Sequence, residues 1–151
     1  MPNIISNTSC LILLSKSGML NLLSELYGQI FISENVKEEF GENLPEFIEI
    51  KEVKNRPLLQ SLQQILDLGE ASTIALGHEF ENCTLILDDM KARKICKDMG
   101  VKFTGTLGVL LKAKQRGIIS SIKPFLAEMQ KIGMWISKDV EQEILNKANE
   151  D

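Results

Sequence analysis

Short apolar runs alternate with longer amphipathic segments along this chain. The runs 3–6, 30–32 and 84–87 have the length and the apolar character of buried strands. Each is followed by a segment whose apolar positions recur at helical spacing. Strands that alternate with helices in this way predict a parallel sheet covered by helices on both faces. The pattern therefore predicts an α/β fold.

Helix and turn signals divide the rest of the chain. Further strands are predicted over 47–53 and 101–103. Ser33 and Ser137 are expected N-caps, and Asp67 with Glu70 forms the D-x-x-E pattern of a helix start. The predicted helices cover 9–14, 19–26, 34–40, 57–66, 69–80, 91–99, 106–116, 124–131 and 138–147.

The composition is that of an ordinary globular domain. The chain has 151 residues, of which 44% are apolar and 25% charged, enough for one domain with a true core. Its apolar stretches are too short to span a bilayer, and its start lacks the features of a secretory signal. Cys10, Cys83 and Cys96 have no C-x-x-C spacing, which predicts free thiols in the reducing cytoplasm. The net charge of −4 means that nucleic-acid binding would need a local basic patch or a metal bridge.

Acidic side chains stand at the ends of predicted strands or near the starts of helices. Asp88 and Asp89 follow the run 84–87, Glu39 lies on the helix after the second strand, and Glu70 opens a later helix. Sites in open α/β sheets gather at the carboxyl ends of the strands. Carboxylates brought together there repel one another unless a cation lies among them, and hard oxygen ligands suit Mg²⁺ or Mn²⁺. The pattern therefore predicts a divalent-metal site at this edge of the sheet.

Five segments, in order, resemble the PIN-domain superfamily, most closely its branch of compact PIN-like proteins related to VapC-type toxins. They are Ile-Ser-Asn-Thr-Ser at 5–9, Ser-Glu-Asn-Val-Lys-Glu-Glu at 33–39, Leu-Gly-Glu-Ala-Ser-Thr-Ile-Ala-Leu at 68–76, Leu-Ile-Leu-Asp-Asp-Met-Lys-Ala-Arg at 85–93 and Gly-Thr-Leu-Gly-Val-Leu-Leu at 105–111. The resemblance covers residues 4–117 and is expected to continue to the C-terminus. It implies a single PIN-like domain over 1–151, with three layers and a central, mostly parallel sheet flanked by helices.

The resemblance also implies an activity. PIN-like proteins of this kind are Mg²⁺- or Mn²⁺-dependent endoribonucleases that cut single-stranded RNA, with water as the nucleophile. The second, third and fourth acids of the family match Glu39, Glu70 and Asp88, with Asp89 beside the last, and the small hydroxyl residue of the family matches Ser9. By analogy, the chain is a candidate toxin of a toxin–antitoxin pair, with a small antitoxin protein as a partner over the site.

At the position of the first family acid, this chain carries Asn7. An amide oxygen can contact a cation but brings no charge, and a full charge nearby is worth about 4 kcal/mol at an effective dielectric near 20. Solvation offsets part of this, so we expect metal affinity one to three orders of magnitude below that of an aspartate version. Two hypotheses follow: a weakened nuclease in which Asn7, Glu39, Glu70 and Asp88 hold the metal, or a catalytically silent module that binds RNA or a protein.

Several of these acids also fit purely local roles. Asp88 could cap the following helix, Asp89 could be a first-turn partner of the helix dipole, and Glu70 could complete a capping box. Thr106 either belongs to a helix cap or lines the site, where backbone N–H groups would face a phosphate.

Outside the acidic positions, two groups of residues have open interpretations. Lys91, Arg93 and Lys94 form either a solvated helix face or a set of contacts to RNA phosphates. Trp135 belongs either to the core or to an interface. The amphipathic segments 20–26 and 140–145 are candidate faces for a homodimer.

Overall fold

The structure is a computed structural model and describes residues 2–151. Within these residues, the strands are β1 (Asn3–Ser6), β2 (Ile30–Ser33), β3 (Ile48–Lys51), β4 (Cys83–Ile86) and β5 (Lys102–Thr104). The helices are α1 (Thr8–Lys16), α2 (Leu22–Tyr27), α3 (Glu34–Phe40), α4 (Arg56–Gln63), α5 (Leu68–His78), α6 (Met90–Met99), α7 (Thr106–Gln115), α8 (Lys123–Ile132) and α9 (Lys138–Lys147).

The five strands form one sheet in the order β3-β2-β1-β4-β5, and every pair is parallel. β1 occupies the centre and pairs with β4 from Asn3 opposite Cys83 to Ser6 opposite Ile86. The carboxyl ends of β1 and β4 are therefore level with each other. The prediction of an α/β fold with a mostly parallel sheet flanked by helices is confirmed.

Both faces of the sheet are covered because side chains alternate along the strands. Ile4 and Ile86 belong to one core, which contains buried residues of α1, α2, α3, α7, α8 and α9. Ile5, Leu85 and Leu87 belong to a second core, which contains buried residues of α4, α5 and α6. Strands buried on both faces read as continuous apolar runs, which is why these segments lack a polar side.

The predicted caps are present. Ser33 Oγ accepts a hydrogen bond from the Val36 N–H at 3.0 Å, and Ser137 Oγ accepts one from the Val140 N–H at 3.1 Å. Such caps satisfy N–H groups that have no partner inside the helix, which fixes where α3 and α9 begin.

Predicted and observed boundaries differ by at most three residues, as two elements illustrate. The helix predicted from residue 19 begins at Leu22, because Met19 forms a turn in which its carbonyl accepts from the Leu22 N–H. The strand predicted over 47–53 is limited to Ile48–Lys51, since this edge strand pairs only with the four residues of β2. Neither change moves the candidate site.

Two further observations concern the chain as a whole. Cys10, Cys83 and Cys96 are free thiols. Across residues 2–151, no helix has the length and apolar character needed to cross a lipid bilayer.

Candidate active site

The candidate site lies where the order of the strands reverses along the sheet. From the central strand β1, the chain passes to β2 and β3 on one side and then to β4 and β5 on the other. Crossovers that leave in opposite directions open a crevice at the carboxyl ends of the two middle strands. Asn7 directly follows β1, and Asp88 follows β4 after one intervening residue. Both therefore stand at this crevice.

A cavity of about 430 Å³ lies at this edge and has carboxylates on several walls. It brings together six residues that the sequence pointed to, although α3, α5 and β4 are far apart along the chain. Its lining consists of Asn7, Thr8, Ser9, Ile12, Glu39, Asp67, Glu70, Asp88 and Asp89.

Asp88 is held by hydrogen bonds from Thr106, the first residue of α7. Its Oδ1 accepts a hydrogen bond from the Thr106 N–H at 2.8 Å, and its Oδ2 accepts one from the Thr106 hydroxyl at 2.6 Å. The Ser9 hydroxyl lies 3.5 Å from the same Oδ2. Since Thr106 begins α7, its N–H is one of the orphan donors of a helix N-terminus, where a carboxylate is favoured. These bonds fix one carboxylate orientation at the cavity wall.

Arg93 stands behind Asp88. Its Nη2 lies 4.0 Å from Asp88 Oδ1, its Nε donates to the Leu87 carbonyl at 2.7 Å, and its guanidinium lies 5.3 Å from the centre of the Phe103 ring. A Cβ atom at Gly105 would collide with this guanidinium and approach Asp88 Oδ1 to 2.7 Å. The absence of a side chain at residue 105 thus allows Arg93 and Asp88 to meet.

Glu39 reaches the cavity from α3. Its Oε1 accepts a hydrogen bond from the Thr8 hydroxyl at 2.5 Å, which ties α3 to the start of α1. The carboxylate lies against Gly69, where a Cβ atom would overlap it. The neighbouring Glu38 is exposed and does not line this cavity.

Three further carboxylates crowd the opposite wall. Asp67 caps α5 by accepting from the Glu70 N–H at 2.9 Å, and Asp89 caps α6 by accepting from the Ala92 N–H at 2.9 Å. Burial, followed by repulsion from Asp67 and Asp89, raises the pKa of Glu70 to about 7. Glu70 is therefore partly protonated at neutral pH, and a cation at this wall would favour its charged form.

Asn7 occupies the N-cap position of α1 without capping it. The residue is 5% exposed, and its side chain accepts no hydrogen bond from the helix N-terminus. Among the described residues, its Oδ1 is the buried side-chain oxygen or nitrogen that has no hydrogen-bond partner. An unpartnered buried acceptor is costly, and a cation or a water molecule that reached this oxygen would satisfy it.

The donors of this cavity fit a hard divalent cation. They are carboxylate, amide and hydroxyl oxygens, the ligands that Mg²⁺ and Mn²⁺ take. Within residues 2–151, no group of three carboxylate, thiol or imidazole side chains is positioned to hold a metal ion as it stands. A cation at this cavity would therefore need water molecules to complete its coordination, and Mg²⁺ usually keeps several of its waters.

Comparison with known families identifies the fold. A family profile described as a PIN domain matches residues 3–150 of the chain. The chain belongs to the PIN-domain family. A search of curated proteins found no match.

The family assignment agrees with the chemistry of the cavity. PIN domains are generally nucleases, and they typically use divalent metal ions. In this PIN domain, the acids matched to the family pattern, Glu39, Glu70 and Asp88, all line one cavity together with Asn7. Glu39, Glu70 and Asp88, which come from separate parts of the chain, therefore share one cavity of the PIN domain.

The remaining predicted residues lie outside the acidic cavity of the PIN domain. Thr106 is fully buried and acts on the site through Asp88 instead of lining the cavity wall. Lys91 and Lys94 are exposed on α6, whereas Arg93 is half-buried behind Asp88.

Sequence reasoning missed two residues of the cavity. Asp67 was interpreted only as the start of a helix, and Thr8 was given no role. The D-x-x-E pattern could have indicated Asp67, because a capping residue three positions before Glu70 lies on the same end of the helix. The Thr8–Glu39 hydrogen bond joins residues 31 positions apart, so the sequence carries no local signal for it.

Proposed function

We propose that this PIN domain is a Mg²⁺- or Mn²⁺-dependent endoribonuclease that cuts single-stranded RNA. The observation that carries the proposal is the single cavity that Asn7, Glu39, Glu70 and Asp88 line together, with the buried oxygen of Asn7 left without a hydrogen-bond partner. These groups come from separate elements, and carboxylates that lie near one another repel. A cation among them would offset this repulsion.

The residues that would hold the metal are Asn7, Glu39, Glu70 and Asp88, with Asp89 assisting. When bound, the ion would lower the pKa of a water molecule and offset charge on the phosphate. Two hydroxyl residues orient the ligands: Thr106 fixes Asp88 and Thr8 fixes Glu39. Oriented ligands lose less freedom when the ion binds, which is the general value of such supporting hydrogen bonds.

Glu70 would hold the metal in its charged form, and the remaining predicted residues have supporting roles. Burial raises the pKa of Glu70 to about 7, so binding of a cation would favour loss of its proton. Ser9 lines the pocket beside Asp88, with its hydroxyl 3.5 Å from Oδ2. Lys91, Arg93 and Lys94 on α6 would contact phosphates of the RNA near the metal.

The biological setting belongs to the proposal as well. We assign the chain to the VapC-like branch, acting in the cytoplasm as the toxin of a toxin–antitoxin pair with a small antitoxin protein as partner. A homodimer through the exposed parts of α2 or α9 is a further proposal. These assignments rest on analogy with the family and not on the geometry of the site.

The test is cleavage of a fluorescently labelled single-stranded RNA with Mn²⁺. Asp88→Asn and Glu39→Gln remove charge from the cavity while keeping the side-chain size. Asp98→Asn and Glu38→Gln are matched controls, because both residues are exposed and lie outside the cavity. We expect cleavage by the wild type and by both controls, and its loss in both site variants. Cleavage that survives Asp88→Asn and Glu39→Gln would overturn the proposal.

A second function is favoured by Asn7, which removes one charge from the family's acid set. The alternative is a catalytically silent PIN domain that binds RNA or a protein partner. RNA retention without cleavage at any Mg²⁺ or Mn²⁺ concentration would support this alternative. Appearance of cleavage in the Asn7→Asp variant alone would locate the defect at this residue.

A further inference from the structure

A second and larger cavity adjoins the acidic one. It has a volume of about 990 Å³ and shares Ser9, Ile12, Asp88 and Asp89 with the carboxylate cavity. Its other walls are α1, α7, α9 and the segment 132–137 that joins α8 to α9. A ligand held at the carboxylates could therefore continue into this space, which we call the groove.

The groove is mostly apolar, and the most exposed of its large apolar side chains is aromatic. Trp135 is 83% exposed although it lies beside the apolar residues Met134 and Ile136. An indole this exposed contributes little to the core, so its position is not explained by packing within the chain. This placement decides the question that the sequence left open and excludes Trp135 from the core.

Charged side chains lie around the same groove. Lys16, Arg93 and Lys147 are among its lining residues, and so are Glu143 and the two acids shared with the carboxylate cavity, Asp88 and Asp89. Within residues 2–151, Lys16 has no ion-pair partner, and Lys147 lies 3.1 Å from Glu143 in an exposed pair that contributes little. An exposed indole with lysines on the same groove is complementary to a strand that carries flat bases and phosphates.

We propose that the groove binds the single-stranded RNA that flanks the scissile phosphate, with an unpaired base stacked on Trp135. Lys16 and Lys147 contact the phosphates on either side of that base. The inference rests on the proposed function for the identity of the strand. It adds a binding subsite and a physical reason for single-strand preference, because a paired base offers no free face to the indole.

Trp135 also provides the measurement, because it is the only tryptophan in the chain. Its fluorescence reports this one position, and stacking of a base should quench it. The Asp88→Asn variant of the full chain is titrated in Mn²⁺ with a twelve-nucleotide single-stranded RNA, so that the strand stays intact. The comparison ligands are a strand of abasic residues of equal length and the corresponding RNA duplex. We expect quenching by the single strand, none by the abasic strand and little by the duplex.

Binding of labelled RNA, followed by anisotropy, separates stacking from simple apolar contact. In the same background, Trp135→Ala and Trp135→Leu should weaken binding about 5- to 100-fold, and Trp135→Phe should retain most of it. The exposure of the side chain means that these changes leave the core untouched, which thermal melting checks. Lys16→Ala and Lys147→Ala should each reduce the slope of log affinity against log salt by about 1, whereas the exposed Lys102→Ala should not.

Two results would overturn the inference. Unchanged fluorescence on RNA binding, or equal quenching by the abasic strand, would show that no base stacks on Trp135. If Trp135→Leu binds RNA as tightly as the protein with the indole, base stacking does not contribute to binding. The groove would then be a better fit for an apolar protein segment than for RNA. If the wild type cleaves RNA but RNA does not quench Trp135 fluorescence, this inference is wrong and the proposed nuclease function stands. If RNA quenches Trp135 fluorescence but the wild type does not cleave it, the nuclease function is wrong and Trp135 still belongs to an RNA-binding subsite.

Discussion

Thr106 donates two hydrogen bonds to Asp88, from its backbone N–H at 2.8 Å and from its hydroxyl at 2.6 Å. The backbone bond survives any substitution at residue 106, whereas the hydroxyl bond depends on the side chain. The effect of orienting the Asp88 carboxylate can therefore be measured by changing Thr106 alone, with every carboxylate kept.

Thr106→Val should lower RNA cleavage by roughly 10- to 100-fold, since a hydrogen bond to a charged group is worth about 1.5–3 kcal/mol. Thr106→Ser keeps the hydroxyl and should restore most of the rate. The measurement is the cleavage rate at several Mn²⁺ concentrations, with Mn²⁺ affinity from calorimetry. Equal rates for the valine and serine variants would mean that the hydroxyl does not orient Asp88.

Asn7→Asp should have opposite effects on stability with and without metal. Residue 7 is 5% exposed, so a new carboxylate there is buried beside other acids and should lower the melting temperature in EDTA. In Mn²⁺ the same charge should raise affinity by about one to three orders of magnitude. Thermal melting in both buffers and calorimetry of Mn²⁺ binding test this.

The control for Asn7→Asp is Asn82→Asp, because Asn82 is exposed and lies outside the cavity. It should leave Mn²⁺ affinity unchanged. An identical Mn²⁺ affinity for Asn7→Asp and the wild type would show that residue 7 faces away from the ion.

Glu70 should make the metal-free protein less stable as the pH rises. Burial raises its pKa from 4.5 to about 7, so the folded state binds the proton more tightly than the unfolded state. Stability from this group is complete below pH 4.5 and is lost as the pH rises from there through 7. Glu70→Gln should therefore raise stability at pH 8 by about 1–2 kcal/mol, allowing for solvent screening, and change it little at pH 4.

Thermal melting in EDTA at a series of pH values measures this effect. Glu38→Gln is the matched control, since Glu38 is exposed and outside the cavity. A Glu70→Gln difference that stays constant from pH 4 to pH 8 would contradict the assignment of a raised pKa.

Glu150 should have the reverse pH dependence. Burial alone would raise its pKa, but hydrogen bonds from the Ser121 hydroxyl, the Ile122 N–H and Lys114 outweigh this and lower it to about 2. Its stabilising effect is present above pH 4.5 and is lost as the pH falls toward 2. Glu150→Gln should lower the melting temperature at pH 7 and match the wild type near pH 2.

The control for Glu150 is Glu143→Gln. Glu143 belongs to an exposed pair with Lys147, and such pairs contribute little to stability. Melting curves of the three proteins between pH 2 and pH 7 give the comparison. If Glu143→Gln and Glu150→Gln have the same melting temperature at pH 7, the hydrogen bonds that join Glu150 to Ser121 and Ile122, just before α8, do not stabilise the protein.

The strands, the sheet edge and the helix caps could be predicted from the sequence, because each depends on residues that are close together along the chain. Apolar runs such as Thr84–Leu87 must be buried on both faces, which predicts a parallel sheet, and residues just past such runs must meet at one edge. This is why Asn7 and Asp88 could be placed together without coordinates. Caps such as Ser33 are readable because the capping oxygen and the N–H that donates to it lie three residues apart.

The rest of the site depends on tertiary packing. The contact of Glu39 with Thr8 depends on how α3 lies against α1, and the groove depends on how α8 and α9 return to α7. No periodicity distinguishes an indole in the core from one on a cavity rim, so Trp135 had two interpretations until the fold was known.

Gly69 has no functional group, yet it governs whether the cavity can hold its charge. The Glu39 carboxylate occupies the space that a side chain at residue 69 would take, and the next residue is Glu70. A methyl group at residue 69 would therefore force the Glu39 carboxylate to move from its present place beside Glu70. A survey of substitutions limited to acidic and basic residues would overlook this position.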